Sequence, residues 1–172
     1  LMAQLTCDPK QKGRAVLNDY YQRGFGKAAE EIKTYWNKMA KTREDIAEAL
    51  GSINYVDDKI DRVRSMYYTD AFLADTEDLL DKAAAEVAGQ SAVYQKRVAF
   101  VQAGFDFMRL MLRNMALLKQ FRESEGEDTE ARKQMQENWN RIKQINNNNP
   151  HAFNFMFIRG RATRNGLKPS DG

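Results

Sequence analysis

Apolar residues recur every three or four positions through most of this 172-residue chain. That spacing is typical of amphipathic helices, which bury one face. Glycine and asparagine, which favour helix ends and turns, separate the periodic segments. The pattern predicts helices over residues 9–24, 27–50, 70–88 and 91–123, and a last helix that ends in the asparagine run 146–149.

The longest of these segments, 91–123, is apolar over a wide arc. A helix of that kind is surrounded by neighbours, so we expect it at the centre of a bundle. Steps of four and three connect one stripe of apolar residues, and a second stripe runs beside it. The first stripe consists of Tyr94, Val98, Val101, Phe105, Met108, Leu112 and Met115, and the second of Phe100, Phe107, Met111 and Leu118.

Glycines mark the predicted helix ends. We expect Gly24 in the left-handed conformation that ends the first helix, followed by a short elbow. Gly51 and Gly89 are expected to end the second and third helices. The pattern between residues 51 and 69 is irregular, and both a short helix and a structured loop fit it.

The pattern changes near the carboxyl end, where phenylalanine occupies every second position: Phe153, Phe155 and Phe157. A period of two predicts a strand or an extended clamp. Because no second strand is predicted to pair with it, we expect these rings to form an interface with the bundle or with another region. The fold class is predicted as all-α, with a bundle of about five helices over 1–150 and an extended basic and aromatic tail over 151–172.

The net charge of +3 comes from that tail. Residues 151–172 contain four basic residues and one acidic residue, so residues 1–150 balance at zero. A nucleic-acid-binding domain concentrates positive charge on a folded face, so we expect no nucleic-acid partner. No apolar run approaches the roughly 18 residues of a membrane-spanning helix, so we expect no membrane partner. The charged tail residues are Arg159, Arg161, Arg164, Lys168 and Asp171.

Residues with metal-binding or cofactor-binding chemistry are few. The chain has one histidine, His151, and one cysteine, Cys7, which is too few for a zinc cluster. Residues 24–29 carry the letters of a dinucleotide-binding fingerprint, but they follow a predicted helix where that site requires a strand. We therefore predict no metal and no cofactor.

Acidic pairs at 30–31, 44–45 and 57–58 alternate with lysine and arginine on predicted helix surfaces. Glycosidase chemistry requires two opposed carboxyl groups that flank a sugar in a cleft. Neighbouring acids on one helix surface do not provide that arrangement, so we interpret these pairs as solvated. We predict that this chain is not itself an enzyme.

Three tyrosines in the irregular segment are the candidate ligand contacts: Tyr55, Tyr67 and Tyr68. Binding residues concentrate in loops, and sugars stack on aromatic rings. Packing against the bundle is the alternative for all three. Trp36 and Trp139 fall on helical apolar stripes, and we expect both in the core.

Three segments, in this order, resemble a known family. They are Asp19-Tyr20-Tyr21 through Ala29 with Tyr35 following, residues 67–69 leading into 79–83, and residues 97–105. The family is an uncharacterised bacterial one that is similar to α-glucuronidases and hexosaminidases, with a (β/α)8 barrel upstream of a helical region. The resemblance covers about residues 3–120.

This resemblance implies a non-catalytic accessory domain of a glycoside-hydrolase-like protein. Such a domain would buttress the upstream barrel, form part of its cleft wall, or provide a subunit interface, which makes a homo-oligomer an option. The family's catalytic carboxylates belong to the barrel, so none is assigned here. A periplasmic or extracellular location follows if the parent protein is secreted. Residues 1–5 resemble the end of an element already under way, so we expect a carboxyl-terminal part of a longer protein.

An alternative function requires no resemblance. A free-standing helical module would bind a partner protein through apolar surface that its own helices leave uncovered. The tail phenylalanines are the candidate contacts in either case. Nucleic-acid binding through the basic tail, from Arg159 to Lys168, is the third and weakest alternative.

We expect the isolated chain to hydrolyse no glycoside, because its acidic residues are not predicted to oppose each other across a cleft. A panel of chromogenic glycosides measures this directly. Turnover that survives purification and disappears when one acidic residue of this chain is replaced would contradict the expectation.

Overall fold

A computed structural model describes residues 13–51, 58–150 and 154–164. Over these ranges the chain is helical and has no strand, which confirms the predicted all-α class. The elements are α1 (Gly13–Phe25), a 3-10 turn (Gly26–Ala28), α2 (Ala29–Leu50), α3 (Asp58–Tyr67), α4 (Asp70–Val87), α5 (Ala92–Glu123), α6 (Thr129–Asn148) and α7 (Phe155–Arg164).

The chain forms two compact units, residues 1–99 and residues 100–172. Helices α1 to α4 belong to the first unit, α6 and α7 belong to the second, and α5 runs through the division. The boundary predicted at residue 150 does not coincide with this division, because α7 packs within the second unit.

In the first unit α2 is the central helix, since α1, α3 and α4 all contact it. One threonine lies on the buried face of each of α2 and α4, and its hydroxyl donates a hydrogen bond to a carbonyl of its own helix. The Thr42 hydroxyl donates to the Lys38 carbonyl at 2.9 Å, and the Thr76 hydroxyl donates to the Phe72 carbonyl at 2.6 Å. The buried faces consist of Ala29, Ile32, Tyr35 and Thr42 on α2, and of Thr76, Leu80, Ala83 and Val87 on α4.

The left-handed residue between α1 and α2 is Gly26, with φ of 57°, so the assignment of that role to Gly24 is wrong. Gly24 lies inside α1. The cause is a contact from α5: the Arg97 guanidinium donates to the carbonyl oxygens of Gly24, at 3.0 Å, and Arg23, at 3.2 Å. Because this cation satisfies carbonyls at the end of α1, the helix continues to Phe25 before the chain turns.

Two other predicted ends have different outcomes. Gly51 is left-handed, with φ of 64°, and its N–H donates to the Ala47 and Glu48 carbonyls, which confirms the end of α2. Helix α4 ends at Val87, before Gly89, and Gly89 has no left-handed φ.

The segment predicted as irregular contains a helix, α3, from Asp58 to Tyr67. The predicted start of the first helix lies outside the described residues.

The stripe predicted on α5 holds through Phe105, since Val98, Val101 and Phe105 are buried. Beyond that point the buried positions are Leu110, Asn114 and Leu117, and the predicted Met108, Leu112 and Met115 are only half-buried. Here α5 packs antiparallel to α6, and this partner selects a different stripe. One apolar cluster contains Leu110, Trp139, Ile142 and Ala162, and the other contains Leu117, Ala131 and Met135.

The predicted extended tail is wrong for residues 155–164, which form helix α7. Asn154 begins the helix, because its side-chain oxygen accepts from the Phe157 N–H at 3.1 Å, as an N-cap residue does. Phe155 and Ile158 pack against the Trp139 cluster, to which the buried Ala162 belongs. Their spacing of three and four is helical, and it outweighs the alternation of phenylalanines that predicted a strand. Phe153 lies outside the described residues.

Replacing Gly26 with alanine should lower the free energy of unfolding by about 1–2 kcal/mol, because a Cβ is strained in the left-handed conformation. Gly24→Ala is the matched control. A Cβ at Gly24 meets no heavy atom within 4 Å, and alanine is favoured in a helix, so stability should rise by about 0.5–1 kcal/mol. Urea denaturation of both variants measures the difference. Destabilisation by Gly24→Ala with no effect of Gly26→Ala would contradict the assignment.

Candidate functional site

An aromatic cluster forms in the first unit where α3 and α4 meet α2. We call it the Tyr35 cluster; it consists of Tyr35, Trp36, Lys38, Tyr68 and Phe72. The rings of Tyr35 and Trp36 meet edge to face at 5.0 Å between centroids, and those of Tyr68 and Phe72 meet at 5.5 Å. The Lys38 ammonium lies 4.4 Å from the centre of the Phe72 ring and donates to the Phe72 carbonyl at 3.3 Å.

Burial changes the acidity of this cluster. It raises the pKa of Tyr35 to about 12, and the neighbouring Tyr68 adds to the effect. Burial also raises the pKa of Tyr68, against an opposing contribution from Arg64. Both phenols are therefore neutral at physiological pH, where they can donate hydrogen bonds but have little capacity as general bases.

Of the predicted ligand contacts, Tyr68 packs within the Tyr35 cluster. Tyr68 is half-buried with its ring edge against Phe72, and Tyr67 is half-buried at the end of α3. Tyr55 lies outside the described residues. A ligand contact by Tyr67 or Tyr68 stays a prediction.

The prediction that Trp36 is a core residue is wrong, since its side chain is 45% exposed. The observed stripe explains the difference: Ile32, Tyr35 and Thr42 are buried on α2, and Trp36 lies about 100° around the helix from Tyr35. Its spacing of four from Ile32 alone did not distinguish it from a core position. Trp139 is fully buried, as predicted.

A second candidate surface lies on α7. Its outward positions include Met156, which is 71% exposed, and Phe157, which is 60% exposed. The opposite side is anchored: Phe155 stacks on Trp139 with ring centroids 5.8 Å apart and planes 24° from parallel. Of the predicted interface residues, Phe155 therefore belongs to the core of the second unit and Phe157 is accessible.

This second surface has a basic surrounding. Residues 155–164 contain three arginines and no acidic residue. The Arg159 side chain is exposed. We call Met156 and Phe157 the α7 outer surface; Arg159 lies beside Met156, three positions along the helix. Methionine, phenylalanine and arginine are enriched at protein interfaces.

Other kinds of site receive no support within the described ranges. The side chains described there include no group of three metal-ligating residues. Among the helices of that same part of the chain, none is both long and apolar enough to cross a bilayer. Two acidic residues form the expected solvated pairs, Glu30 with Lys33 at 3.7 Å and Asp45 with Lys41. Glu31 differs, since its Oε2 atom is buried and has no hydrogen-bond partner.

The chain matches no protein family model, no curated protein and no solved structure. Its function is therefore argued from its own surfaces.

Replacing Tyr35 with phenylalanine should flatten the loss of stability at high pH. The folded chain holds this phenolic proton more tightly than the unfolded chain, whose tyrosine pKa is 10.0. The stability from Tyr35 is therefore fully present below pH 10.0 and is lost as the pH rises towards its folded value of about 12. We expect the variant to remove about 1–2 kcal/mol of that loss.

Urea denaturation at a series of alkaline pH values measures this effect. Tyr20→Phe is the control, because Tyr20 is 54% exposed. Identical pH profiles for the parent chain and Tyr35→Phe would contradict the burial of a neutral phenol.

Proposed function

We propose that this chain is a helical protein-interaction module whose α7 outer surface contacts an acidic partner protein. The observation that carries the proposal is the exposure of Met156, at 71%, and Phe157, at 60%, on a helix held in place by its opposite face. Leaving two adjacent large apolar side chains in water gives no folding benefit. Covering them with a partner would recover that free energy.

The anchored side of α7 supports this role. Phe155 stacks on Trp139, Ala162 is 2% exposed, and Asn154 caps the first turn. A helix fixed in this way presents its outward side chains in one arrangement before a partner arrives. Binding therefore requires little further ordering of the helix, and this preorganisation favours affinity.

Charge favours an acidic partner. With three arginines and no acidic residue in 155–164, this helix would attract a partner surface rich in aspartate or glutamate. Complementary charge increases the rate of encounter and disfavours basic partners. Exposed Arg159 is three positions from Met156, so the guanidinium and the thioether are neighbours on the helix surface.

The accessory role in a glycoside-hydrolase-like protein is a special case of this proposal, in which the bound surface belongs to a domain of the same polypeptide. That case rests on the resemblance of three sequence segments. It requires an acidic surface on the neighbouring domain.

Serine substitution of both Met156 and Phe157 should weaken binding to an acidic amphipathic helix by about tenfold or more, because two interface side chains are lost. The probe is a synthetic helical peptide with leucine on one face and glutamate on the other. A second peptide with lysine in place of glutamate tests the charge preference. Calorimetric titration at low and high salt gives the affinities, and the parent chain should bind the glutamate peptide more weakly at high salt.

Met66→Ser is the matched control, since Met66 is 70% exposed but lies on α3 in the first unit. It should leave the affinity unchanged. Equal binding of both peptides, or no loss in the double serine variant, would contradict the proposal. Salt-dependent binding of duplex DNA by the parent chain would favour the nucleic-acid alternative instead.

A further inference from the structure

Helices α5 and α6 meet along a seam with the spacing of a coiled coil. Core positions on both helices alternate steps of three and four, which is the pattern of side chains that insert between those of a facing helix. The two helices run antiparallel, so the residues nearest the turn face each other first. The hydrogen bond between Asn138 and Asn114 fixes the register, and both apolar clusters agree with it. Counting from this bond, the opposed positions are Phe121 with Ala131, Leu117 with Met135, Leu110 with Ile142 and Phe107 with Ile145.

One layer of this seam is polar. Asn114 is fully buried and Asn138 is 6% exposed. The Asn138 amide donates to the Asn114 side-chain oxygen at 2.9 Å, and the Asn114 amide lies 3.4 Å from the Met135 carbonyl. Apolar clusters lie on both sides of the layer, around Leu117 on one side and Leu110 on the other.

We propose that the Asn114–Asn138 pair selects the register in which α5 and α6 associate. Sliding one helix by a heptad would leave the apolar layers facing apolar residues. The same shift would place Asn114 opposite Ala131 or Ile145, and Asn138 opposite Phe107 or Phe121. The hydrogen bond between the two asparagines would then be lost, and each amide would face an apolar side chain in a buried layer, which is unfavourable.

The turn between α5 and α6 is a second restraint on the register, and it acts only while the hairpin is closed. Its restraints include the left-handed Gly126, with φ of 89°, and the Asp128 side chain, which accepts from the Ala131 N–H at 2.8 Å. When the hairpin opens, that restraint is lost. The asparagine pair still distinguishes the registers, because its hydrogen bond depends only on the helices.

The test replaces both asparagines with leucine, which makes the seam apolar throughout. A cysteine pair reports the register in a Cys7→Ser background. Leu117→Cys with Met135→Cys joins the facing layer, and Leu117→Cys with Ile142→Cys joins positions one heptad apart. We expect the parent chain to form only the first disulfide. The double leucine variant should form the second at a yield about tenfold higher than the parent, because a shifted register no longer breaks a hydrogen bond inside the apolar seam.

The double leucine variant should also unfold at a higher temperature than the parent, because a buried polar layer costs stability. It should no longer adopt one unique packing of the two helices, because the polar layer is what specifies it. The control removes an amide pair outside the seam: Gln136 donates to Asn140 at 3.2 Å on the exposed side of α6, and replacing both with alanine should leave the cross-linking unchanged. Asn114→Leu with Asn138→Ala repeats the test with a smaller side chain, in case two leucines overfill the layer. A parent-like cross-linking pattern in the leucine variant and in the leucine–alanine variant would overturn the proposal.

Discussion

Each helix of this chain has one apolar stripe, and the need to bury that stripe is the constraint on which the other features depend. Isolated helices of these lengths are marginal in water, so tertiary packing stabilises them. In the first unit Ile32 is fully buried on α2, which contacts three other helices. In the second, Trp139 of α6 is fully buried against residues of α5 and α7. Burial on one side also determines which side chains stay outside, among them Trp36 and Phe157.

Polar groups at the edges of these stripes decide where helices end and how they pair. The Arg97 guanidinium binds the last carbonyls of α1, so the turn of the chain moves to Gly26. Asn114 and Asn138 satisfy each other inside an otherwise apolar seam. In both places the free energy depends on a specific partner, because a buried donor or acceptor without one is costly. Such contacts specify one arrangement where apolar packing alone would tolerate several.

The two candidate surfaces differ in how much of their apolar area is buried and how much is exposed. The Tyr35 cluster uses most of its aromatic surface for packing and exposes mainly Trp36. The α7 outer surface exposes two neighbouring apolar residues in a segment with three arginines and no acid. The second surface has the more specific chemistry, because apolar area and a single sign of charge together define the kind of partner that fits.

The sequence by itself determined the all-α class and most helix positions, because steps of three and four and residues such as Gly51 are local signals. It also indicated the burial of Trp139. Tertiary structure alone decided the rest. The left-handed glycine is Gly26 and not the predicted Gly24, whose carbonyl accepts from Arg97, more than seventy residues away. Packing on Trp139 made α7 a helix although its phenylalanines alternate, and pairing with α6 chose which stripe of α5 is buried. These outcomes depend on contacts between distant segments, which local periodicity does not encode.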